Sequence, residues 1–184
     1  MTMSQKTIFG FVGQMGSGKG TAAKYLEEKH NASTYRFSTI LRDILSRLYL
    51  TTERDNLVKT SEALRNAFGE DILARVIVQD IGKDPRSLIM LDGIRRVTDV
   101  VFDLPGFVLV EVFADIELRL ARINARGENP DDATLTLEQF KANHERSTEK
   151  SIAEIAARAT ERIDNNGDSE ELYTQLDELV KKYQ

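Results

Sequence analysis

Nine residues near the start of the chain, Gly13-Gln14-Met15-Gly16-Ser17-Gly18-Lys19-Gly20-Thr21, restrict its fold more than any other stretch. The apolar run Ile8-Phe9-Gly10-Phe11-Val12 precedes them and reads as a buried strand. Ala22-Ala23-Lys24-Tyr25-Leu26-Glu27-Glu28 follows, with the composition of a helix. A strand, a glycine-rich turn and a helix start are the setting in which a phosphate-binding loop works. The glycines clear side chains from the path, so several N–H groups can converge on one polyphosphate, aided by the positive end of the helix dipole. Lys19 adds a point charge that can reach the outer phosphates. The plain alternative, a glycine-rich turn with an ordinary lysine, is weakened by the correct element on each side. Gly20 occupies the place where many such loops carry a Mg²⁺-ligating Ser or Thr, and the hydroxyl comes one residue later, at Thr21.

The rest of the chain alternates strands with helices. Thr34 to Phe37 reads as a second strand, after which Ser38 is expected to cap a helix through Leu41, Ile44, Leu45 and Leu48. Helices are expected over 53–68, with Leu57, Leu64 and Phe68 inward, and over 71–81, carrying Ile72, Val76 and Ile77. Leu88-Ile89-Met90-Leu91 is a continuous apolar run and hence a buried strand. A short helix is expected over 97–102, the clearest strand over 107–113, helices over 116–126, 137–144 and 152–158, and an edge strand at Arg162-Ile163. Asp168 with Glu171 forms a capping pair for a last helix striped by Leu172, Leu176, Leu179 and Val180. Five strands alternating with helices imply an α/β, three-layer α/β/α fold of the P-loop NTPase kind. Its parallel sheet is covered on both faces, with ligands at the carboxyl ends of the strands.

Chemistry-bearing residues fall at those ends. Asp92 emerges from the third strand, where it can orient Mg²⁺-bound water or the metal itself; the competing reading is an Asp-Gly turn. Arg42, Arg54 and Arg65 lie on the helices before that strand. An arginine there can grip a phosphate bidentately, and a solvated helix face is the alternative for Arg54 and Arg65. Arg119, Arg122 and Arg126 recur at i, i+3 and i+7, an unfavourable run on a bare helix unless acids such as Asp115 and Glu117 or a bound anion relieve it. The polar stretch 127–136 that follows is a plausible short cover, or lid.

Gly-Lys-Gly-Thr at positions 18–21 resembles the loop of adenylate kinase and other nucleoside monophosphate kinases. Asp92-Gly93-Ile94-Arg95-Arg96 resembles their aspartate-glycine-phenylalanine-proline-arginine strand end, and Ser38-Thr39 with Arg42 resembles their serine-threonine-glycine-aspartate-x-x-arginine stretch. Arg122 to Arg126 resembles the arginine-x-x-x-arginine that opens the lid. The resemblance implies ATP and Mg²⁺ as cofactors, the metal held mainly by phosphates and water near Thr21 and Asp92. Lys19 and the loop amides would hold the donor, and Arg122, Arg126 and Arg146 would stabilise the transferring group. Ser38, Arg42 and either Arg95 or Arg96 would hold the acceptor, in a helical region over about 38–84. Ile163-Asp164-Asn165-Asn166-Gly167, with Glu171, Leu172 and Gln175, resembles instead the end of dephospho-coenzyme A kinases, which share the fold and phosphorylate a ribose 3′-hydroxyl.

The expected function is transfer of the γ-phosphoryl of ATP to a small phosphorylated, nucleotide-like acceptor, most simply a (deoxy)nucleoside monophosphate. Dephospho-coenzyme A kinase or a nucleotide switch is the alternative. A length of 184 residues suits one domain. The absence of cysteine and of a membrane-length or signal-like apolar run agrees with a cytoplasmic protein. A formal charge of −5 argues against a nucleic-acid coat, and a monomer or a dimer is expected.

Overall fold

A computed structural model describes residues 6–96, 100–126, 135–144 and 147–184. Five strands form one sheet: β1 (Thr7–Val12), β2 (Ser33–Arg36), β3 (Leu88–Asp92), β4 (Phe107–Phe113) and β5 (Glu161–Asp164), in the order β2-β3-β1-β4-β5. All neighbouring pairs are parallel. Parallel neighbours require long crossovers, and helices supply them: α1 (Lys19–His30), α2 (Phe37–Arg47), α3 (Arg54–Phe68), α4 (Ile72–Lys83), α5 (Ile116–Arg126), α6 (Leu137–His144), α7 (Ser147–Ala156) and α8 (Ser169–Tyr183).

Side chains alternate across the pleat, so each buried strand feeds two cores. Phe9, Phe11, Met90, Val108, Val110 and Val112 meet Ala22, Ala23 and Leu26 of α1 and Leu172, Leu176, Leu179 and Val180 of α8. Ile8, Val12, Ile89, Leu91 and Leu109 face the other way, onto Leu41 of α2, Leu73 and Ile77 of α4, and Ile152 and Ile155 of α7. Sheet between helices on both faces is the three-layer α/β/α arrangement expected from the sequence.

Several boundaries differ from expectation. Ser38 does not cap α2: β2 runs straight into a helix starting at Phe37, with extended Arg36 at the cap and no side-chain cap bond. Phe37 turns into the core there, and its burial fixes the helix start ahead of the serine hydroxyl. Phe68 is exposed, because α3 packs chiefly on α2 and α4, outside the sheet, and only Leu57 and Leu64 reach the core. The buried residues of α4 are Leu73, Ala74, Ile77 and Ile81, and Ile72 packs partly buried against the same core. A 3₁₀ turn over Val100–Asp103 stands near the helix expected at 97–102, of which 97–99 lie outside the described residues. So do 127–134, most of the expected lid. Thr136 and Gln139 cap α6 reciprocally: Gln139 N–H donates to Thr136 Oγ1 (3.3 Å) and Thr136 N–H to Gln139 Oε1 (2.9 Å).

Candidate functional site: a braced phosphate loop at the carboxyl edge of the sheet

β1 sits centrally in the sheet; the chain first lays β2 and β3 on one side of it and then crosses from β3 to β4 on the other, so the strand order reverses at β1, the position where open α/β sheets bind ligands. The loop after β1 is wound by Gly16 (φ 80°) and Gly18 (φ 102°), both left-handed, and closed by Ser17 N–H donating to Gln14 O at 3.2 Å. Gly18 caps α1, and Ala22 N–H donates back to Gly18 O at 3.0 Å. The amides just before Ala22 therefore lack intrahelical partners and carry the positive end of the helix dipole. A Cβ on Gly20 would meet nothing within 4 Å, so the loop surface there is open. Lys19 Nζ folds back to Gly13 O (2.6 Å) and Gln14 O (3.3 Å), directly over the loop.

Two elements brace this loop from outside. Buried Arg119 of α5 donates from Nε to Ala114 O (3.0 Å) and from Nη1 to Met15 O (3.3 Å), with its guanidinium 5.4 Å from the Phe140 ring. Buried Asn165, just after β5, donates from Nδ2 to Ser17 O at 2.8 Å. Both approaches need glycine: a Cβ on Gly16 would lie 2.7 Å from Arg119 O, and one on Gly18 would lie 2.0 Å from Asn165 Nδ2.

Arg122, one turn after Arg119, donates from Nη2 to Asn165 O (2.9 Å), while its Nη1 is buried without a partner. Burial lowers its pKa, and among the described residues no carboxylate pairs with this guanidinium. Open helix-start amides, a lysine over the loop and this unsatisfied donor fit a polyphosphate. Arg126 is the last residue of α5, and Arg146 lies outside the described residues.

Asp92 ends β3 in register with Phe11 of β1, the strand that leads into the loop, and with Arg36 of β2. Its Oδ2 is 3.7 Å from Arg36 Nε, and Gly93 (φ 90°) then turns the chain away. Arg42 is exposed on α2, Ser38 is half-buried in its first turn, and Arg95 is exposed. Arg96 is committed to an ion pair with Glu70, between α3 and α4. Thr21 is exposed in the first turn of α1. Among the described residues, no group of three or more His, Cys, Asp or Glu is gathered as a metal cage.

Sequence reasoning missed two contributors. Arg36 reads as an ordinary strand residue, although the last residue of a strand beside Asp92 must reach the same sheet edge. Asn165 reads as part of a C-terminal resemblance, and nothing local in its sequence announces a contact with residue 17.

A model of the AAA domain family (AAA_17) matches residues 12–137, more than half of the chain. A UPF0200 protein of Methanosarcina barkeri is 28% identical over 180 residues, covering 96% of this chain and 95% of the relative. One from Sulfurisphaera tokodaii is 29% identical over 183 residues, covering 98% and 99%. Among solved structures, TT1252 from Thermus thermophilus matches with a TM-score of 0.62 at 21% identity over 98% of this chain and all of the other. Shikimate kinase from Bacteroides thetaiotaomicron matches with a TM-score of 0.63 at 14% identity, over 96% and 97%. The likeness to both solved structures is one of fold. Phosphate loop, sheet order and family match agree, and the chain belongs to the AAA domain family, built on the three-layer α/β/α fold of P-loop kinases.

Proposed function

We propose that this chain is an ATP-dependent phosphotransferase of the nucleoside monophosphate kinase type. The observation that carries the reading is the register of β1 with β3, which sets Asp92 beside the strand that feeds the phosphate loop. Arg36 on β2 lies beside Asp92 on the side away from β1, Arg42 stands on α2, the helix that follows β2, and Arg96 pairs with Glu70. On this reading donor and acceptor are served by separate sets of positive groups, with Asp92 shared between them.

Phosphoryl transfer asks the protein for positioning and charge neutralisation more than for covalent chemistry. The bond from an acceptor oxygen to the γ-phosphorus forms as the bond to the β–γ bridging oxygen breaks, and ADP leaves. Lys19 and the loop amides hold the donor phosphates, and Arg122 with Arg126 and Arg146 offsets charge on the transferring group. Thr21 and Asp92 would hold Mg²⁺, which supplies charge neutralisation when bound. Arg42, with Ser38 and Arg95 or Arg96, orients the acceptor from the helical region over about 38–84; the lid role read from the sequence for 127–136 would belong to the donor side. An acceptor phosphate gives these guanidinium groups an anion, which a neutral acceptor would not.

A second reading, dephospho-coenzyme A kinase, draws support from the direct bond between Asn165, in the stretch resembling those enzymes, and the loop. One assay separates them: ADP production with ATP and Mg²⁺, adding nucleoside monophosphates, dephospho-coenzyme A or shikimate in turn. A monophosphate is expected to accelerate ATP consumption most. Turnover with dephospho-coenzyme A and with no monophosphate would overturn the acceptor assignment. No acceleration by any small acceptor would favour a switch.

A further inference from the structure

We propose that Asn165 is a positioning residue that holds the phosphate loop in its anion-binding shape and ties it to Arg122. The inference rests on the phosphate-loop reading above and goes beyond it to a residue on the opposite end of the chain.

A peptide unit between a serine and a left-handed glycine turns over easily, because glycine occupies either sign of φ at little cost. Such a flip at Ser17–Gly18 would send the Ser17 carbonyl oxygen toward a bound phosphate and take the Gly18 N–H away from it. The cradle needs the opposite orientation, with carbonyls outward and amides inward. Asn165 supplies it: its Nδ2 donates to Ser17 O at 2.8 Å from a position almost wholly removed from solvent. Gly18 is what lets it approach, since any Cβ at that position would lie 2.0 Å from the same nitrogen. Asn165 is fixed in turn by the sheet, its own N–H donating to Phe113 O at 2.8 Å. The neighbouring Asn166 fastens the same turn to the end of β4 by accepting from Asp115 N–H at 2.8 Å.

The backbone of Asn165 performs the second half of the task. Its carbonyl accepts from Arg122 Nη2 at 2.9 Å and leaves Nη1 as the buried donor with no partner. One residue therefore sets both the loop amides, through its side chain, and the guanidinium, through its main chain. Losing the side-chain bond frees the loop peptide and exposes Ser17 O to a choice between solvent and ligand. A buried carbonyl deprived of its donor is a costly state, so the loop relaxes away from the binding shape.

The test measures binding of the base-free probe tripolyphosphate, of ATP and of adenosine by calorimetry, each with Mg²⁺, to the wild type, Asn165→Ala and the near-isosteric Asn165→Leu. Both variants are expected to lose about tenfold in affinity for tripolyphosphate and for ATP alike, the size of one charge-assisted bond's misplacement. A residue that only supported the fold would lower the ligand-free melting temperature and leave the affinity of the folded fraction unchanged. Tripolyphosphate affinity within twofold of wild type in the variant that folds overturns the proposal. A loss seen with ATP and adenosine but not with tripolyphosphate makes Asn165 a contact of the base and overturns it equally. Wild-type protein that binds neither tripolyphosphate nor ATP overturns the phosphate-loop reading itself, and this proposal with it.

Discussion

Asp92 is tied to one neighbour and open to another. Its partner across β2–β3, Arg36, sits 3.7 Å away with close to half its side chain exposed, so the pair contributes at most about 1 kcal/mol to stability. Asp92→Asn keeps the size of the side chain and removes the charge a metal-bound water would use. It is expected to lower kcat and raise the Mg²⁺ concentration for half-maximal rate, each by about 10–100-fold, with little change in the denaturation midpoint. An unchanged Mg²⁺ titration would make Asp92 a turn residue beside Gly93 and no more. The aspartate itself was legible, since an acid at the end of an apolar run must surface at the sheet edge. Arg36 was not, because its significance comes from the residue across the ladder, and ladder partners are a property of pairing. The same holds for Asn165, separated from Ser17 by most of the chain.

At the level of elements, helix and strand identities followed from periodicity, whereas their ends followed from burial. α1 begins at Lys19 because Gly18 can take a left-handed cap, and α2 begins at Phe37 because that ring has a core to enter. Local chemistry predicted the start of α8 more faithfully: Asp168 Oδ1 accepts from Glu171 N–H at 3.0 Å, as the capping pair requires. The packing of α1 on α8 carries a polar clasp that no pattern announced. Asp177 accepts from Tyr25 Oη–H (3.0 Å), Lys29 Nζ (2.7 Å) and His30 Nε2 (2.7 Å), and Tyr25 stacks on Tyr173 with ring centroids 4.0 Å apart. The Lys29 hydrogen bond leads in pulling the Asp177 carboxyl down to about 2. A carboxyl depressed in the folded state stabilises the fold above its ordinary value of 3.8, and this contribution is lost as pH falls toward 2. The stability gap between wild type and Asp177→Asn, measured by urea denaturation, should therefore be constant around pH 5 and close between pH 4 and 2. A gap that persists at pH 2 would mean that the clasp acts through shape and not through charge.

At the scale of the whole molecule, the sequence specified five parallel strands under two helical layers, but not their order. Counting strands cannot reveal that β3 inserts between β2 and β1, yet this insertion sets Asp92 beside β1, the strand that leads into the loop, and Arg36 beside Asp92. The phosphate loop is consequently held by remote parts of the fold: α5 through Arg119, the turn after β5 through Asn165, and β1 beneath. A ligand that fills such a loop engages elements from both halves of the sheet, so its binding should register in global unfolding. Linkage sets the size: ligand at 100 times its Kd adds about 2.7 kcal/mol. For a chain of this length, that corresponds to a rise of about 5–10 °C in Tm. ATP with Mg²⁺ is expected to raise the Tm of the wild type by that amount in a thermal scan. Lys19→Ala should melt, ligand-free, within about 2 °C of wild type, because Nζ donates to carbonyls of the open loop and packs in neither core. It should nevertheless lose most of the rise at the same ligand concentration, since the charge that meets the outer phosphates is gone. A full rise in the variant would remove Lys19 from binding. A ligand-free Tm depressed by as much as the wild type gains would instead make the lysine a structural support of the loop.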